Sequence, residues 1–578
     1  MSMNENNQEN IQDRNNRSID AARLVDLFLA GAANLEAGKE WINELNVFPV
    51  PDGDTGTNMT LTIKSAVAEV GNLDQGSRSM RDVCKAISSG SLRGARGNSG
   101  VILSQLLRGF GKVARDEEEL TVPVMAKAFE RAVVTAYKAV MKPKEGTILT
   151  VAKGVSEKAT ELSDACVDNF DDFIPQVIAY GEEVLAKTPD MLPVLKQAGV
   201  VDSGGQGLIQ FLKGCYDAYL GKEIAVVPQK EEETGKQEAE AAKEELKYLY
   251  FAAFEIVPGK DFNKASLKSL RKYLESIGEI AVCENREDIV SVQVRTNDPG
   301  LAIQKGIQCG ELRSLRIENR RLEKEGSAKA AEEKAKAPGT VSAGHVPAAE
   351  SEPELQMPHK DFGFITVSVG EGIGEIFKGL GVDCVISGGQ TMNPSTDDIL
   401  GAVKKVNADT VFVLPNNKNI VMAANQAAEL SKDKKVVVIP TTTIPQGITA
   451  IINFTPDMTA EENRENMLAG IEAVKSAEVT YAVRDTVLND VEIHKDDMMG
   501  IGDAGILAVS RDRDETALKC LEKMVGEETE IISIYYGEDV TEAEAEDFRS
   551  KVLSSFESCE VELQYGGQPI YYYILSAE

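Results

Sequence analysis

Two long, polar stretches rich in alanine and charge most constrain what this chain can fold into. Residues 223–246 and residues 323–358 consist largely of Glu, Lys, Ala, Gln, Pro and Gly. Segments of this composition bury too little apolar surface to offset the entropy lost when the backbone is ordered. We therefore predict two linkers that separate three folded blocks. The blocks cover residues 18–222, 247–322 and 359–578, and a polar, disordered tail at residues 1–17 precedes them.

Length and charge narrow the class of protein. A chain of 578 residues is too long for one core, which agrees with several blocks. The formal net charge of −31 would repel nucleic acid, so no nucleic-acid partner is expected. No run approaches the roughly 18 apolar residues that span a bilayer, and the amino terminus lacks a secretory pattern. A cytoplasmic protein without membrane insertion is predicted, and its eight cysteines, which never form CxxC, are expected to be reduced and mostly buried.

The hydrophobic patterns of the three blocks predict different fold classes. In the first block apolar residues recur at helical spacing, which predicts an all-α bundle. The residues that define this stripe at its start are Ile19, Ala22, Val25, Leu29 and Ala32. The second block reads as the strand YLYFAAFEIV, the helix ASLKSLRKYLESIG, the strand DIVSVQVRT and a further helix, a small α+β domain. In the third, the strands FITVSV, CVIS, TVFVLP and KVVVIP alternate with helices, as in parallel α/β folds.

The segment ELNVFPVPDGDTGTNMT, residues 44–60, carries the strongest chemical signal. Asp52 and Asp54 lie two positions apart in a Pro/Gly loop just before a predicted helix. Magnesium prefers hard oxygen ligands and usually takes one or two carboxylates, with water and phosphate oxygens completing its shell. The same residues are also typical of an ordinary turn followed by a helix cap. The segment alone does not decide between a magnesium site and such a turn.

Two glycine clusters add to this signal. GSLRGARGNSGVILSQLLRG, residues 90–109, places glycines before and at the start of a helix, where backbone N–H groups favour phosphate. Close helix packing through small residues is an equally good interpretation of this segment. VVDSGGQGL, residues 200–208, is either part of a phosphate site or only the end of one helix and the start of the next.

The three segments together resemble the DhaL-like helical barrel, the ATP-binding part of dihydroxyacetone kinases. The later segments SGGQTMNPSTDDIL, LPNNKNI and TYAVRD extend the resemblance over nearly the whole chain. Over that length the chain is similar to the kinase component of bacterial fatty acid kinase, the FakA or YloV-like family. This resemblance implies a DhaL-like domain, a small middle domain and a C-terminal DegV-like α/β domain.

The resemblance also implies the cofactors and their residues. It assigns ATP and Mg²⁺ to the first block, with Asp52 and Asp54 as the catalytic metal ligands. Asn46 stands near the place where dihydroxyacetone kinases supply another aspartate, and it is an expected third ligand. Further residues are expected near the nucleotide: Thr55, Gly56, Asn58, Gly97, Asn98, Ser99, Gly100, Thr147, Asp202, Gly204 and Gly205.

The implied reaction is transfer of the ATP γ-phosphoryl group to the carboxylate of a fatty acid, which a FakB-like binding protein presents. A carboxylate is already ionised at neutral pH and needs no general base. Dihydroxyacetone kinases instead hold their sugar on a histidine. The three histidines here, His345, His359 and His494, are expected to be solvent-exposed. The family also implies a homodimer. The alternatives are a non-catalytic nucleotide-sensing scaffold or lipid-binding regulator, and a dihydroxyacetone (glycerone) kinase-like enzyme.

The chain departs from its relatives in the middle block. Where many relatives carry a cysteine and a His-x-His pair suited to zinc, this chain has Phe251, Gln293 and Arg295, so no zinc is expected there. Cys283 is expected to be a core thiol. In the third block, SVGEGIGEIF is expected to be a structural turn. GGQTMNPST is either a site for an anionic group or partner, or a turn that caps the following helix.

Overall fold

A computed structural model describes most of the three blocks. The described residues are 16–47, 53–73, 79–140, 142–222, 250–258, 264–286, 289–297, 299–307, 309–319, 359–389, 392–482, 485–488, 491–502 and 505–578. Both predicted linkers and residues 1–15 of the predicted tail lie outside them. Arg17, within the predicted tail, pairs with Asp168 at 2.9 Å. The first and third blocks belong to one compact unit, whereas the middle block forms a second unit.

The first block is all-α, as predicted. Its helices are α1 (Ala21–Ala37), α2 (Lys39–Glu44), α3 (Thr55–Gly71), α4 (Met80–Gly94), α5 (Gly97–Ala114), α6 (Val122–Ala139), α7 (Ile148–Asp164), α8 (Phe170–Ala186), α9 (Thr188–Met191), α10 (Pro193–Ala198) and α11 (Ser203–Tyr219). Side chains that accept a backbone N–H mark several helix starts. Asp20, Ser79, Asn169 and Asp202 each cap a helix in this way.

The buried face of α1 agrees only in part with the predicted stripe. Of the five residues predicted to form it, Ala22 and Leu29 are exposed and the other three are buried. Leu27 and Phe28 are buried in addition, because the sequence offers apolar residues on more than one side of this helix. Packing against α11 selects the buried side, where Phe28 meets the ring of Phe211 edge to face.

Glycines allow α4 and α5 to lie close against α3. A Cβ at Gly90 would come within 2.6 Å of the Ala66 Cα, and one at Gly94 within 2.2 Å of the Ser65 Cβ. A Cβ at Gly100 would lie 2.3 Å from the Thr62 Oγ1. The packing interpretation of this glycine segment is therefore correct for these three positions.

The second unit is an antiparallel sheet with two helices, the α+β class predicted. Its elements are β1 (Tyr250–Pro258), α12 (Lys264–Ile277), β2 (Gly278–Arg286), β3 (Ile289–Thr296), α13 (Pro299–Ile307) and β4 (Gly310–Asn319). The strand order is β2-β3-β1-β4 and every described pairing is antiparallel. Phe251 pairs with Arg295 and Ala253 with Gln293 across β1 and β3. The side chains of Phe251, Gln293 and Cys283 lie outside the described set.

The third block begins with a parallel sheet, as predicted. Its strands are β5 (Lys360–Ser368), β6 (Cys384–Ser387), β7 (Ala408–Leu414) and β8 (Lys435–Val438), in the order β6-β5-β7-β8. The intervening helices are α14 (Glu371–Gly379), α15 (Thr396–Lys405) and α16 (Val421–Leu430), and α17 (Ile444–Ile452) and α18 (Ala460–Ala473) follow β8. Val411 and Phe412 at the centre of β7 are buried, which fits a strand covered on both faces.

A second, mixed sheet completes the third block. Its elements are β9 (Lys475–Tyr481), β12 (Met498–Gly502), β13 (Gly505–Ser510), α19 (Arg513–Met524), β14 (Ile531–Tyr536), α20 (Glu542–Ser555), β15 (Glu560–Tyr565) and β16 (Tyr573–Ala577); a hairpin of β10 (Thr486–Leu488) and β11 (Val491–Ile493) stands apart. The strands β14 and β15 pair in parallel across α20, the βαβ piece predicted for the tail. The strand β16 then returns antiparallel to β14.

The parallel sheet and the helical block share a core. Ala95 and Val101, at the start of α5, are buried in the same cluster as Ile365 of β5 and Ile420 before α16. The backbone N–H of Thr396 donates to the Ala95 carbonyl at 3.1 Å. The carboxyl edge of the parallel sheet is therefore anchored on the amino end of α5.

Other expectations concern thiols and membranes. Of the cysteines that the structure describes, Cys84, Cys520 and Cys559 are buried, others are partly buried and Cys166 is exposed. None of these described thiols is in a disulfide. Burial raises the pKa of Cys84 to about 12. Among the described helices, none combines the length and apolarity needed to cross a bilayer.

The glycine contact between α3 and α4 gives a test of the packing. Gly90→Ala should lower the free energy of unfolding by about 1–2 kcal/mol, because the α3 backbone must move and this outweighs the gain in helix propensity. Gly71→Ala, at the end of α3, has open space and should leave stability unchanged or raise it by up to about 1 kcal/mol. Urea unfolding followed by fluorescence of the single tryptophan, Trp41 in α2, reports on this block. Equal midpoints for the two variants would contradict the packing.

Candidate functional site

Several helices of the first block begin at one place. The Ser203 hydroxyl at the start of α11 donates to the Thr55 hydroxyl at the start of α3, at 3.2 Å. A Cβ on Gly97, the first residue of α5, would lie 2.5 Å from the Asn58 Nδ2 in the first turn of α3. A Cβ on Gly204 would lie 3.2 Å from that of Ile148, the first residue of α7. The amino ends of α3, α5, α7 and α11 therefore converge, and such ends favour anions.

Asp54 occupies the N-cap position of α3, but its carboxylate makes no capping hydrogen bond there. It instead accepts a hydrogen bond of 2.6 Å from the side-chain amide of Asn393, in the third block. Asp54 is buried, with 8% of its surface exposed. Asp52, the other predicted metal ligand, lies outside the described residues. The cap interpretation of this segment thus fits the backbone of Asp54, whereas its carboxylate is directed to the third block.

The start of α3 is held by α2. The Asn43 side chain accepts the Thr57 N–H at 3.1 Å and donates to the Thr57 hydroxyl at 3.0 Å. Gly56 lies so close to α2 that a Cβ would approach the Lys39 carbonyl oxygen within 2.2 Å. Asn46, the predicted third ligand, is buried just after α2, where its N–H donates to the Asn43 carbonyl. These contacts fix the first turn of α3, which directly follows Asp54.

The start of α5 forms the neighbouring wall. Gly97 has a φ of +58°, a left-handed conformation that favours glycine, and Gly97 and Gly100 are buried. Asn98 and Ser99 are partly exposed. The Arg96 N–H donates to the Thr62 hydroxyl of α3 at 3.3 Å. The first turn of α5 therefore presents backbone N–H groups beside Asn58 and Thr62.

The start of α11 is capped by a buried acid. The Asp202 carboxylate accepts the Gly205 N–H at 2.7 Å, and the Asp202 N–H donates to the Thr188 hydroxyl at 3.1 Å. Burial raises the pKa of Asp202 to about 6, although hydrogen bonds from the backbone N–H groups of Gly205, Ile148 and Gly204 act in the opposite direction. The helix-start interpretation of this glycine cluster is thus correct, and it coexists with a place among the converging helix ends.

Thr147 is the N-cap of α7, but its hydroxyl does not cap the helix. That hydroxyl donates to the Lys144 carbonyl at 2.9 Å. The preceding Gly146 has a φ of +84° and donates its N–H to the Thr150 hydroxyl. Thr147 therefore lies at one of the converging helix ends, with its side chain directed to the preceding loop.

The third block reaches into this region through the segment GGQTMNPST. Besides the bond from Asn393 to Asp54, the Arg96 guanidinium donates to the Asn393 carbonyl at 2.7 Å and pairs with Asp398 at 3.3 Å. Ser395 and Asp398 form a capping box at the start of α15, so the cap interpretation of this segment is correct. The same turn holds Asn393 against Asp54. Of the two interpretations of this segment, the cap is confirmed, and the site for an anionic group or partner stays a prediction. The contact to the helical block is an additional finding.

The segment LPNNKNI supplies a second contact. The Asn98 side-chain amide donates to the Asn419 side-chain oxygen at 3.1 Å. Two turns further along α5, the Gln105 amide donates to the Gln426 oxygen at 3.0 Å, and the Gln426 amide donates to the Leu92 carbonyl at 2.6 Å. A row of buried amide contacts therefore runs along α5 between the two blocks.

The donor atoms at this place suit a magnesium ion. The side-chain oxygens of Asn98 and Asn393 are buried and accept no hydrogen bond among the described residues. An unsatisfied buried oxygen is costly unless a donor or cation approaches it. Together with the Asp54 carboxylate these are hard oxygen ligands of the kind magnesium takes. Within the described part of the chain, no group of three or more His, Cys, Asp and Glu side chains is placed to hold a metal ion.

Several residues of this region were not assigned a role from the sequence. Asn43, Thr62, Arg96, Thr188 and Asn419 all support it through hydrogen bonds. Arg96 and Asn419 stand inside segments that the sequence had singled out, so proximity to those motifs was a usable signal. Asn43, Thr62 and Thr188 lie in helices or at helix starts without any local signal.

The remaining motifs are structural where the residues are described. SVGEGIGEIF is a strand-to-helix turn between β5 and α14, as predicted; a Cβ on Gly372 would lie 1.9 Å from the Tyr565 carbonyl oxygen. The imidazoles of His359 and His494 are more than half exposed, as predicted. His345 lies outside the described residues.

Comparison with known proteins defines the class of this chain. The DAK2 domain matches residues 49–217, the middle domain of FakA-like fatty acid kinase proteins matches residues 247–327, and their C-terminal domain matches residues 363–578. The chain is thus a kinase-type helical domain followed by two domains of the FakA type.

The relatives are consistent with that class. Protein YloV of Bacillus subtilis strain 168 is 41% identical over 572 residues, which cover 97% of this chain and 100% of YloV. The chain belongs to the FakA-like fatty acid kinase family.

Solved structures match parts of the chain. Dihydroxyacetone kinase from C. freundii in complex with AMP-PNP and Mg²⁺ is 15% identical, with a TM-score of 0.28, and the match covers 35% of this chain and 34% of that chain. The Streptococcus pneumoniae Fatty Acid Kinase (Fak) B3 protein loaded with linoleic acid is 13% identical, with a TM-score of 0.27. The match covers 38% of this chain and 99% of that chain.

The raised pKa of Asp202 gives a test of this geometry. Because the folded-state pKa is about 6 against an ordinary 3.8, the folded chain holds the proton to higher pH than the unfolded chain does. The free energy of unfolding should therefore fall as pH rises from about 4 to about 6, by roughly 2–3 kcal/mol from this group. Asp202→Asn keeps a good N-cap and removes the titration. The variant does not lose this stability as pH rises. Its free energy of unfolding, compared with that of the unchanged chain, should therefore increase between pH 4 and pH 7 by the same amount.

The readout is urea unfolding at both pH values by Trp41 fluorescence. Asp20→Asn, at the exposed N-cap of α1, is the matched control because it changes the same pair of residue types at a helix start. A stability difference between the Asp202 variant and the unchanged chain that stays constant with pH would contradict the burial argument.

Proposed function

We propose that this chain transfers the ATP γ-phosphoryl group to the carboxylate of a fatty acid, which a FakB-like protein presents, and so forms an acyl phosphate. The observation that supports it most is the buried Asp54 carboxylate at the amino end of α3, one of four helix starts that converge, in a chain of the FakA-like family. Phosphoryl transfer depends chiefly on positioning and charge stabilisation, which such a site supplies.

Backbone N–H groups at the helix starts would bind the triphosphate. Gly97 lacks a side chain that would cover the N–H groups at the start of α5. Gly204 and Gly205, whose N–H groups donate to Asp202, would line the nucleotide beside them. Thr55, Asn58 and Ser99 stand at or within one turn of the same helix starts and offer hydroxyl and amide groups. Thr147 would contribute its position at the start of α7, since its hydroxyl donates to the Lys144 carbonyl. Gly56 and Gly100 contribute through close packing, which lets the helix ends meet.

Asp52 and Asp54 would hold magnesium, with the side-chain oxygens of Asn46, Asn98 and Asn393 as further candidates. When bound, the ion neutralises charge on the phosphate oxygens. The Asn393 amide donates a hydrogen bond that orients the Asp54 carboxylate. Hydrogen bonds to metal-coordinating side chains usually have this role. The Arg96 guanidinium, fixed by the Asn393 carbonyl and Asp398, adds a positive charge beside the helix ends.

A carboxylate acceptor fits these groups. Its ionised oxygen needs no base to remove a proton before it attacks the γ-phosphorus, and the described histidines lie on the surface instead. The apolar cavity inside the helical block measures about 170 Å³. Cavities of roughly 150 Å³ hold benzene-sized molecules, far smaller than an acyl chain. A separate protein that carries the acyl chain is therefore part of the proposal, as is a homodimer of this chain.

Removal of the Asp54 carboxylate tests the proposed reaction. Asp54→Ala and Asp52→Ala should each lower acyl phosphate formation by at least about 100-fold, since several kcal/mol of charge stabilisation is lost. The assay traps acyl phosphate with hydroxylamine in the presence of ATP, Mg²⁺ and an oleate-loaded FakB-like protein. Partner binding, measured by sedimentation, should be unchanged.

Asp217→Ala, which removes an exposed carboxylate paired with Lys222, is the matched control and should keep full activity. Near-normal turnover in the Asp54 variant would contradict the site. Nucleotide binding without acyl phosphate formation by the unchanged chain would favour a nucleotide-sensing scaffold. ADP release that depends on added dihydroxyacetone, measured with a coupled assay in place of the hydroxylamine trap, would favour a glycerone kinase.

The hydrogen bond between the two blocks gives an independent prediction. Asn393→Ala should weaken Mg²⁺-dependent ATP binding by about 10- to 100-fold, because it removes a hydrogen bond to a proposed metal ligand, Asp54. Isothermal titration with a non-hydrolysable ATP analogue measures this. The control is Asn466→Ala in α18, where the side-chain amide donates to the Met458 sulfur. This variant should bind the analogue as the unchanged chain does. Tighter binding in the Asn393 variant would show that the contact blocks the site.

A further inference from the structure

A cavity of about 490 Å³ lies between the helical block and the third block, along α5. Its walls come from α5, α6 and α16 and from the turns that carry Lys142 and Lys418. The buried pair of Gln105 and Gln426 joins the two blocks at this cavity. Its volume is within the range of pockets that hold small molecules.

The charge of this cavity differs from that of the chain. Acidic residues outnumber basic ones 93 to 62 in the whole sequence. The cavity has six basic side chains and a single acidic one, Glu429. The basic ones are Arg108, Lys112, Arg131, Lys138, Lys142 and Lys418. Such an inversion concentrates positive potential in a concave site with low-dielectric walls.

Five of these cations have no carboxylate partner among the residues that the structure describes. No carboxylate of the described residues lies within ion-pair distance of Arg108, Lys112, Arg131, Lys138 or Lys142. Partial burial and the charges of Arg108 and Arg131 lower the pKa of Lys112. The cluster therefore costs stability in the absence of an anion, and an anion would remove that cost.

We propose that this cavity binds a small molecule with two or more phosphate groups, at a site separate from the proposed ATP site. Several cations that meet in one pocket match the several negative charges of a di- or triphosphate, and arginines such as Arg108 and Arg131 bind phosphate oxygens in pairs. Arg108 is ten residues from Asn98, about 15 Å along α5. The inference does not depend on the proposed kinase activity.

Because both blocks supply cations, the bound anion would also strengthen their contact. Lys418 directly precedes Asn419, which accepts the hydrogen bond from Asn98. The remaining five basic residues belong to the helical block. Occupancy is therefore expected to raise the unfolding temperature of the chain, since a ligand that binds only the folded state stabilises it.

The test uses inorganic pyrophosphate and the full chain in EDTA, so that magnesium-dependent binding is absent. Isothermal titration should give one pyrophosphate per chain, with an affinity that falls between about 50 mM and about 500 mM salt. Arg108→Gln with Lys112→Gln, and separately Lys138→Gln with Lys142→Gln, should each weaken binding at least about tenfold. Neither pair should lower the unfolding temperature of the anion-free chain, because both relieve repulsion.

The matched control is Lys153→Gln with Lys213→Gln, two lysines of the same block that each have a carboxylate partner. It should bind pyrophosphate as the unchanged chain does. Equal pyrophosphate affinity of the cavity variants and the unchanged chain would overturn the proposal, because the binding site would then lie elsewhere. The absence of saturable binding to the unchanged chain would also overturn it. Asp54→Ala should keep the pyrophosphate site, which separates this result from failure of the proposed kinase reaction.

Discussion

The contact between Asp54 and Asn393 is the interaction on which the rest of the account depends. It joins a loop before α3 to a turn before α15, two places 339 residues apart in the chain. The carboxylate is buried and oriented by an amide, and the same amide residue is held by the Arg96 guanidinium. A buried acid is stable only when its neighbours satisfy it. The helical block and the parallel sheet therefore meet at this buried acid.

This arrangement gives the third block a part in the site. The turn that follows β6 caps α15 through Ser395 and at the same time presents Asn393 to Asp54. The turn after β7 presents Asn419 to Asn98. Both turns follow the carboxyl ends of parallel strands, the edge at which α/β sheets usually place their functional side chains. The sheet thus supports a site whose acid and helix ends belong to the other block.

Much of the fold follows from local patterns in the sequence. Buried runs such as TVFVLP predicted β7. The two low-complexity stretches predicted linkers, which lie outside the described residues, and no local pattern indicated that the first and third blocks form one compact unit. The strand β4 was missed because Leu312 and Leu315 lie three positions apart, where a register shift against β1 interrupts the alternation on which strand recognition depends. The buried face of α1 was misjudged in part because small residues such as Ala22 fit either side of a helix.

The candidate site was predictable only in part. Asp54, Gly97 and Asp202 stand in motifs with local signals, whereas the bond from Asn43 to Thr57 and that from Asn393 to Asp54 depend on tertiary contacts that no local pattern encodes. The glycines of residues 90–100 had two interpretations that local sequence could not separate, because close packing and phosphate binding both require a missing side chain.

The most direct test of the central claim is a crystal structure of the full chain with a non-hydrolysable ATP analogue and Mg²⁺. We expect a magnesium ion about 2.0–2.1 Å from an Asp54 carboxylate oxygen, the triphosphate at the amino ends of α3 and α5, and Asn393 still in contact with Asp54. A nucleotide bound elsewhere, or an Asp54 carboxylate without metal beside a bound triphosphate, would contradict it.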